Sequence, residues 1–199
     1  MDECEDNPER TFAVNVVGVR DLAVAAQAIG AVLVHFSTDY AFDGRKRHPY
    51  QESDCPDPPE RLRDLEASGQ VFHWAILEPH FVIRTCGLYG LTGSRGKGGN
   101  FVETMLRLAR GEREIRVVGD RILTPTNTKE LARKVRQLVE IGAYGLYHIT
   151  NHGECLWCQF AAAIFEMAGL HPSLRETTSA EYGARTTRPA FSVLDNANL

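Results

Sequence analysis

The chain has 199 residues, a length that suits one domain or one domain with a small appendage. Its apolar content of 43%, charged content of 24% and net charge of −4 are ordinary for a globular protein and give no basic footprint for nucleic acid. No apolar run reaches transmembrane length, the first ten residues are too acidic for a signal peptide, and the five scattered cysteines are typical of reduced thiols. We therefore expect a cytoplasmic protein that binds neither nucleic acid nor membranes.

The first half of the sequence predicts one long helix followed by two buried strands. Asn7 and Pro8 are typical of a helix start, apolar residues then recur at helical spacing, and Gly30 is typical of a helix end. The runs AVLVHFSTD and HFVIRTCGLYG each predict a buried strand, the first of them parallel. A polar loop and the segment PPERLRDLEASGQ, which has the composition of a charged helix, separate these strands.

The second half continues the alternation of helices and strands. Asn100 and Glu103 form a predicted capping box, Thr128 is the predicted cap of a helix that ends near Ile141, and another helix is expected over 157–168. The runs IRVVG and GLYHIT predict strands between these helices. The pattern predicts an α/β fold with a mostly parallel sheet, whose ligands bind beyond the carboxyl ends of the strands.

Two short motifs are weak signals of a ligand site. Gly90, Gly93 and Gly96 approach a dinucleotide-binding fingerprint, but the following helix begins only after Asn100, so we interpret them as a loop that passes close to a ligand or another backbone. Cys155-x-x-Cys158 follows two histidines, but no second ligand pair has the spacing of a zinc site. We predict no metal site.

A series of segments carries a family resemblance across the chain. In order they are FAVNVVGVRDLAVAA, HFSTDYAFDG, PYQESD, VIRTCGLYG, SRGKGGNFVETMLRLA, TPTNTKELA, GLYHITNHGEC and RPAFSVLDN. Together they closely resemble the dTDP-4-dehydrorhamnose reductases, which are extended short-chain dehydrogenase/reductases of bacterial sugar-nucleotide synthesis. Any one segment would be a weak match, whereas the ordered series is specific.

The resemblance implies a Rossmann domain for NADPH, with NADH as an open alternative, and a smaller C-terminal part for the nucleotide sugar. Residues 1–90 would be the second half of the Rossmann domain, and residues 91–199 a substrate-binding part interleaved with the sheet. The family's glycine fingerprint lies before the point where this chain begins. The resemblance therefore implies a partial Rossmann-like sheet that lacks the first βαβ unit, and it makes cofactor binding by this chain doubtful. The sequence does not decide the oligomeric state, and a homodimer is possible.

The reaction implied is hydride transfer from NADPH to C4 of dTDP-4-dehydro-L-rhamnose, with a Ser/Thr, a Tyr and a Lys as catalytic residues. The threonine carries over to Thr38. Ser37 and Thr85 are carried over to the cofactor side of the site. The expected substrate contacts are Asp39, Tyr40, Gly87, Arg95 and Asn100. At Gly87 many relatives carry a tryptophan, so its absence alters the sugar-binding surface.

The Tyr-x-x-x-Lys pair of the family is missing. Leu62 occupies the position of the tyrosine and cannot protonate an alkoxide. Glu66 occupies the position of the lysine and lacks the positive charge by which the family's lysine lowers the pKa of the tyrosine and binds the nicotinamide ribose. A hypothetical codon string that encodes Pro59 to Gly69 gives, when read in another frame, Leu-Asn-Val-Tyr-Gly-Thr-Ser-Lys-Leu-Ala, which matches the family motif. We therefore interpret this segment as an out-of-frame translation, a hypothesis that the nucleotide sequence tests.

Three functional hypotheses follow. The first is a dTDP-4-dehydrorhamnose reductase relative that is inactive as written, because the proton donor and most of the cofactor pocket are missing. The second is a reductase or epimerase that acts on another nucleotide sugar, which Gly87 leaves open. The third is a non-catalytic nucleotide-sugar-binding or regulatory subunit.

Overall fold

The computed structural model describes residues 7–57, 79–93, 98–183 and 188–199. Leu62, Glu66, Arg95 and the charged helix predicted at 58–70 lie outside these residues. The described strands are β1 (Leu33–Thr38), β2 (His80–Thr85), β3 (Leu88–Tyr89), β4 (Ile115–Val118), β5 (Ile122–Leu123), β6 (Thr126–Asn127), β7 (Gly145–His148), β8 (Cys155–Leu156), β9 (Leu174–Thr177) and β10 (Phe191–Ser192). The described helices are α1 (Pro8–Phe12), α2 (Gly18–Ala28), α3 (Phe101–Leu108), α4 (Thr128–Ile141), α5 (Trp157–Met167) and α6 (Ser179–Tyr182). No described helix has the length and apolar character that a bilayer span requires.

The predicted first helix is confirmed, with one irregularity. A π-helical turn at Ala13–Val17 joins α1 to α2. Pro8 is the first helical residue, whereas the side chain of Asn7 makes no capping hydrogen bond. The helix ends at Ala28, and Gly30 follows with a φ of 64°. The chain can turn there because glycine adopts left-handed backbone angles without a Cβ clash.

The central sheet is parallel and has the order β1-β2-β7. This confirms the predicted fold class. Thr38 lies opposite Thr85 at the carboxyl ends of β1 and β2, and Arg84 of β2 lies opposite His148 of β7. The burial predicted for β1 is wrong within the described residues: β1 is an edge strand, none of its residues is buried, and Phe36 is exposed, because the described sheet covers only one side of the strand.

Three smaller sheets accompany the central sheet in the described residues. β3 pairs with β6 and β4 with β9, both in parallel. β5 lies between β10, which is parallel to it, and β8, which is antiparallel. The pairing of β5 with β10 brings the last residues of the chain next to the segment after β4.

The helices pack on these sheets through two apolar clusters. One lies between α3, β4 and α5 and includes Met105, Ile115, Val117, Ala161 and Phe165. The other lies between α4 and the central sheet and includes Phe81, Ile83, Leu131, Leu138 and Ile149. The predicted capping box of α3 is confirmed, but α4 is capped by Asn127, whose side chain accepts hydrogen bonds from the next turn, and not by Thr128 as predicted.

A buried polar cluster fixes the loop after β1 against the sheet. Nη1 of Arg84 lies 3.3 Å from Nε2 of His148, and Nδ1 of His148 lies 3.0 Å from the carbonyl oxygen of Tyr50. Glu52 accepts a hydrogen bond of 2.9 Å from the backbone N–H of His148. Burial lowers the pKa of His148 to about 4, so the neutral ring donates from Nδ1 to Tyr50 and accepts from Arg84.

Candidate functional site

A cavity of about 240 Å³ lies beyond the carboxyl ends of β1 and β2. This is the edge at which parallel α/β sheets place their ligands. The sequence predicted six of its wall residues, namely Ser37, Thr38, Asp39, Tyr40, Thr85 and Gly87. Strand ends, the turn after β1 and the loop after β2 therefore bring the predicted residues together, although their roles stay predictions.

Thr38 and Asp39 form the polar floor of the cavity. Oγ1 of Thr38 donates to Oδ1 of Asp39 over 2.9 Å and accepts from the backbone N–H of Tyr40 over 3.3 Å. Burial raises the pKa of Asp39, while hydrogen bonds from Ser192, Thr38 and Cys86 oppose that rise. The Thr38 hydroxyl is thus held in a fixed orientation at the strand end.

Thr85 has a hydroxyl with no hydrogen-bond partner among the described residues. Thr85 is only 5% exposed and lines the cavity. It is paired with Thr38 in the register of β1 and β2. A buried polar atom without a partner costs about 1–3 kcal/mol, so such atoms are uncommon in native structures. A ligand oxygen that entered the cavity could satisfy this hydroxyl.

Gly87 lies in the cavity wall with a φ of 55°. A Cβ at this position would lie 2.8 Å from the carbonyl oxygen of Thr124 and 2.9 Å from Cδ1 of Leu123. The local backbone therefore excludes the tryptophan that the resemblance associates with this position. Trp157, at the start of α5, contributes an aromatic side chain to the cavity instead.

Asn100 does not line the cavity. Its Oδ1 accepts from the backbone N–H of Glu103 over 3.0 Å, and its Nδ2 donates to the carbonyl oxygen of Gly90 over 2.7 Å. Gly90 and Gly93 pack closely against Thr128 and Glu103, which agrees with a loop that approaches other parts of the chain. The substrate contacts expected of Asn100 and Arg95 stay predictions, and Arg95 lies outside the described residues.

Sequence reasoning missed the two arginines of the cavity wall, Arg121 and Arg188. Arg121 follows β4, and Arg188 precedes β10. They lie in the same wall because β5 and β10 are parallel neighbours, with the N–H of Ile122 bonded to the carbonyl oxygen of Ala190 over 2.9 Å. The RPAFSVLDN segment was a signal for Arg188, but no local pattern marks Arg121.

The paired cysteines do not form part of a metal site in the described residues. Cys158 is buried, and its thiol donates to Oε2 of Glu176 over 3.5 Å, while Cys155 is half-buried. In the ranges that the structure describes, no three His, Cys, Asp or Glu side chains are grouped so that they could hold a metal ion.

Comparison with known proteins places this architecture in a family. The model of the RmlD substrate binding domain matches residues 1–199. The chain belongs to the RmlD family. Its relatives include the spore coat polysaccharide biosynthesis protein SpsK of Bacillus subtilis, 40% identical over 196 residues, which cover 98% of this chain and 67% of SpsK. A dTDP-4-dehydrorhamnose reductase of Sinorhizobium fredii is 34% identical over 98% of this chain and 68% of its own length.

Solved structures support the same assignment. A Bacillus anthracis dTDP-4-dehydrorhamnose reductase in complex with NADP superimposes with a TM-score of 0.92 and 35% identity, covering 98% of this chain and 68% of that one. A Clostridium acetobutylicum reductase gives a TM-score of 0.90 and 36% identity, again over 68% of that chain. This RmlD-family chain thus spans about two thirds of the length of these relatives.

The residues present do not fit a whole dinucleotide cofactor. The 199 residues contain no G-x-G-x-x-G sequence, which cradles the pyrophosphate in dinucleotide-binding folds. The described cavity of about 240 Å³ is also smaller than the ~300–1,000 Å³ of sites that enclose drug-sized ligands.

Proposed function

We propose that this chain binds a dTDP-linked 4-keto-6-deoxysugar and that, on its own, it does not reduce it. The proposal is supported by the RmlD-family match and by relatives named as dTDP-4-dehydrorhamnose reductases. The observation that carries it is the hydroxyl of the cavity-lining residue Thr85, which is buried and has no hydrogen-bond partner among the described residues. Thr38, its partner in the pairing of β1 with β2, adds a second oriented hydroxyl, whose oxygen can accept from a sugar hydroxyl while its proton stays donated to Asp39.

The proposed lack of turnover rests on Leu62 and Glu66. Leu62 has no proton to donate, and Glu66 supplies a negative charge where the family uses a positive one. Loss of a general acid lowers rates by about 10²–10⁴-fold. We propose dTDP-4-dehydro-L-rhamnose as the family-type ligand and cytoplasmic sugar-nucleotide synthesis as its setting.

The direct test combines binding with turnover. Calorimetric titration with dTDP-L-rhamnose should show saturable binding, whereas NADPH absorbance should stay constant when dTDP-4-dehydro-L-rhamnose is added. NADPH oxidation at the rate of a full-length reductase would contradict the proposed inactivity. Absence of saturable binding would contradict the proposed ligand.

Thr85→Val separates a ligand contact from a structural role. Valine has nearly the same shape as threonine, so the change removes an unsatisfied buried hydroxyl and should raise the free energy of unfolding by about 1 kcal/mol. The same change should weaken dTDP-L-rhamnose binding several-fold. Thr126→Val is the matched control, because Thr126 is buried outside the cavity wall and its hydroxyl bonds to the carbonyl oxygen of Thr124. Unchanged ligand affinity in Thr85→Val would refute the assigned contact.

A second function has one observation in its favour. Gly87 replaces a platform that the family places near the sugar, and Trp157 supplies the aromatic side chain of this cavity. A different nucleotide-linked sugar would fit a changed platform. Competition of other dTDP- and UDP-sugars against dTDP-L-rhamnose tests this alternative. A competitor that binds more tightly than dTDP-L-rhamnose would favour it.

A further inference from the structure

Two guanidinium groups share the cavity with the sugar-facing hydroxyls. Arg121 is half-buried and Arg188 is exposed, and both line the cavity that contains Thr38, Tyr40 and Thr85. Neither arginine has a carboxylate at ion-pair distance in the described part of the chain. Their charge is therefore available to an anionic ligand group.

The guanidinium of Arg121 is held in place by a short chain of hydrogen bonds. Its Nε donates to Oγ of Ser179 over 2.6 Å, and that hydroxyl donates to Oδ1 of Asp120 over 2.6 Å. Oδ2 of Asp120 also accepts from the backbone N–H of Ser179 over 2.8 Å. The Ser179 hydroxyl thus orients Arg121 without an ion pair that would neutralise it, and the Nη groups keep their hydrogen-bonding capacity.

The two guanidinium groups give this part of the cavity wall positive charge, and the carboxylate of Asp120 near them is bonded to Ser179. Burial acts to raise the pKa of Asp120, but hydrogen bonds from Ser179 and the charge of Arg121 lower it below its ordinary value, so Asp120 is ionised and bonded to Ser179. Burial raises the pKa of Tyr40, and the charges of Arg188 and Arg121 oppose that rise, so both guanidinium groups act on the same cavity wall. Asp39, the acidic group in the wall, has its pKa raised by burial and is bonded to neighbouring hydroxyl and thiol groups.

We propose that Arg121, with Arg188 beside it, binds the phosphate groups of the nucleotide that carries the sugar, and that Ser179 and Asp120 are positioning residues for Arg121. The planar guanidinium matches phosphate oxygens in geometry and charge, and such charge-assisted hydrogen bonds are stronger than neutral ones. The inference rests on the proposed function, because it takes the cavity to be the nucleotide-sugar site. It adds the residues that recognise the anionic half of that ligand.

The test compares a ligand that has the phosphates with one that lacks them. The affinities of dTDP and of thymidine are measured by calorimetry for the unchanged chain and for Arg121→Gln, Arg121→Lys and Arg116→Gln. Arg116 is an exposed arginine on the neighbouring β4 and does not line the cavity, so it controls for loss of net charge. We expect Arg121→Gln to weaken dTDP binding by about tenfold or more and to leave thymidine binding and the Arg116→Gln affinities nearly unchanged.

The positioning role has its own readout. Ser179→Ala should weaken dTDP binding severalfold without altering thymidine binding, and Ser179→Thr, which keeps the hydroxyl, should restore the dTDP affinity. The salt dependence of dTDP binding should be shallower in Arg121→Gln than in Arg121→Lys, because lysine keeps the charge. A loss in Ser179→Ala that Ser179→Thr does not restore would contradict positioning through the hydroxyl.

The outcomes separate this inference from the function on which it rests. If the unchanged chain binds dTDP and Arg121→Gln binds it equally well, the phosphate site is wrong and the nucleotide-sugar function stands. The assignment of Arg121 to the phosphate groups is also wrong if Arg121→Gln weakens the binding of dTDP and of thymidine equally. It is likewise wrong if the substitution weakens the binding of NADPH alone. If the unchanged chain binds neither dTDP nor dTDP-L-rhamnose, both proposals fail together.

Discussion

Replacing Gly87 with alanine should destabilise the protein more than the same change at another left-handed glycine. The backbone at Gly87 has a φ of 55°, which costs an L-residue about 1–2 kcal/mol. The new Cβ would also lie 2.8 Å from the carbonyl oxygen of Thr124 and 2.9 Å from Cδ1 of Leu123. Relief of that overlap requires a backbone shift, and overpacking of this kind costs about 1–3 kcal/mol. The sum is about 2–5 kcal/mol.

Gly30→Ala is the matched control for the backbone contribution. Gly30 has a φ of 64°, but an added Cβ there would meet nothing within 4 Å. Urea denaturation of the two variants therefore isolates the steric contribution, and Gly87→Ala should lose about 1–3 kcal/mol more than Gly30→Ala. Equal losses would refute the close approach of Gly87 to Thr124. Such a result would also reopen the cavity wall to the larger side chain that many relatives carry at this position.

Two further predictions concern stability. Burial lowers the pKa of His148 to about 4, so between pH 6.5 and pH 4 the unfolded chain binds a proton that the native chain does not. The free energy of unfolding should therefore decrease as the pH falls through this range, with a slope of up to about 1.4 kcal/mol per pH unit. Denaturation of His148→Gln across this range should lack that slope, and an identical slope in both proteins would count against a neutral buried ring. Asn100→Ala should cost about 1–2 kcal/mol, more than Asn127→Ala, because Asn100 caps α3 and also bonds to the carbonyl oxygen of Gly90. Equal losses of the two caps in denaturant titrations would show that the bond to Gly90 adds nothing.

The sequence was sufficient to predict the sheet and one side of the cavity. Apolar strands that end in Ser37-Thr38-Asp39 and Thr85 place those residues at one edge, because parallel strands share the direction of their carboxyl ends. The capping box at Asn100 and Glu103 is likewise a local pattern that needs only neighbouring residues. The choice between Asn127 and Thr128 as the cap of α4 was not decidable locally, since both residue types are common caps.

The other side of the cavity could not be predicted from local patterns. Arg121 and Arg188 become neighbours only through the two-residue pairing of β5 with β10, which is too short to leave a recognisable periodicity. The interaction of Arg121 with Ser179 likewise joins residues 58 positions apart. Resemblance identified RPAFSVLDN as a family segment without assigning a role to its arginine. Long-range pairing decides this part of the site.

The position of the last strand has a consequence for synthesis of the protein. Segment 188–196 supplies Arg188 and Ser192 to the cavity, pairs β10 with β5, and forms a bridge between Leu194 and Tyr50. Because chains emerge from the ribosome N-terminus first, residues 37–40 and 85–87 must wait until segment 188–196 has been translated before the wall of their cavity is complete. A complete cavity wall therefore requires that the ribosome has read the message through to this segment in the frame that encodes it.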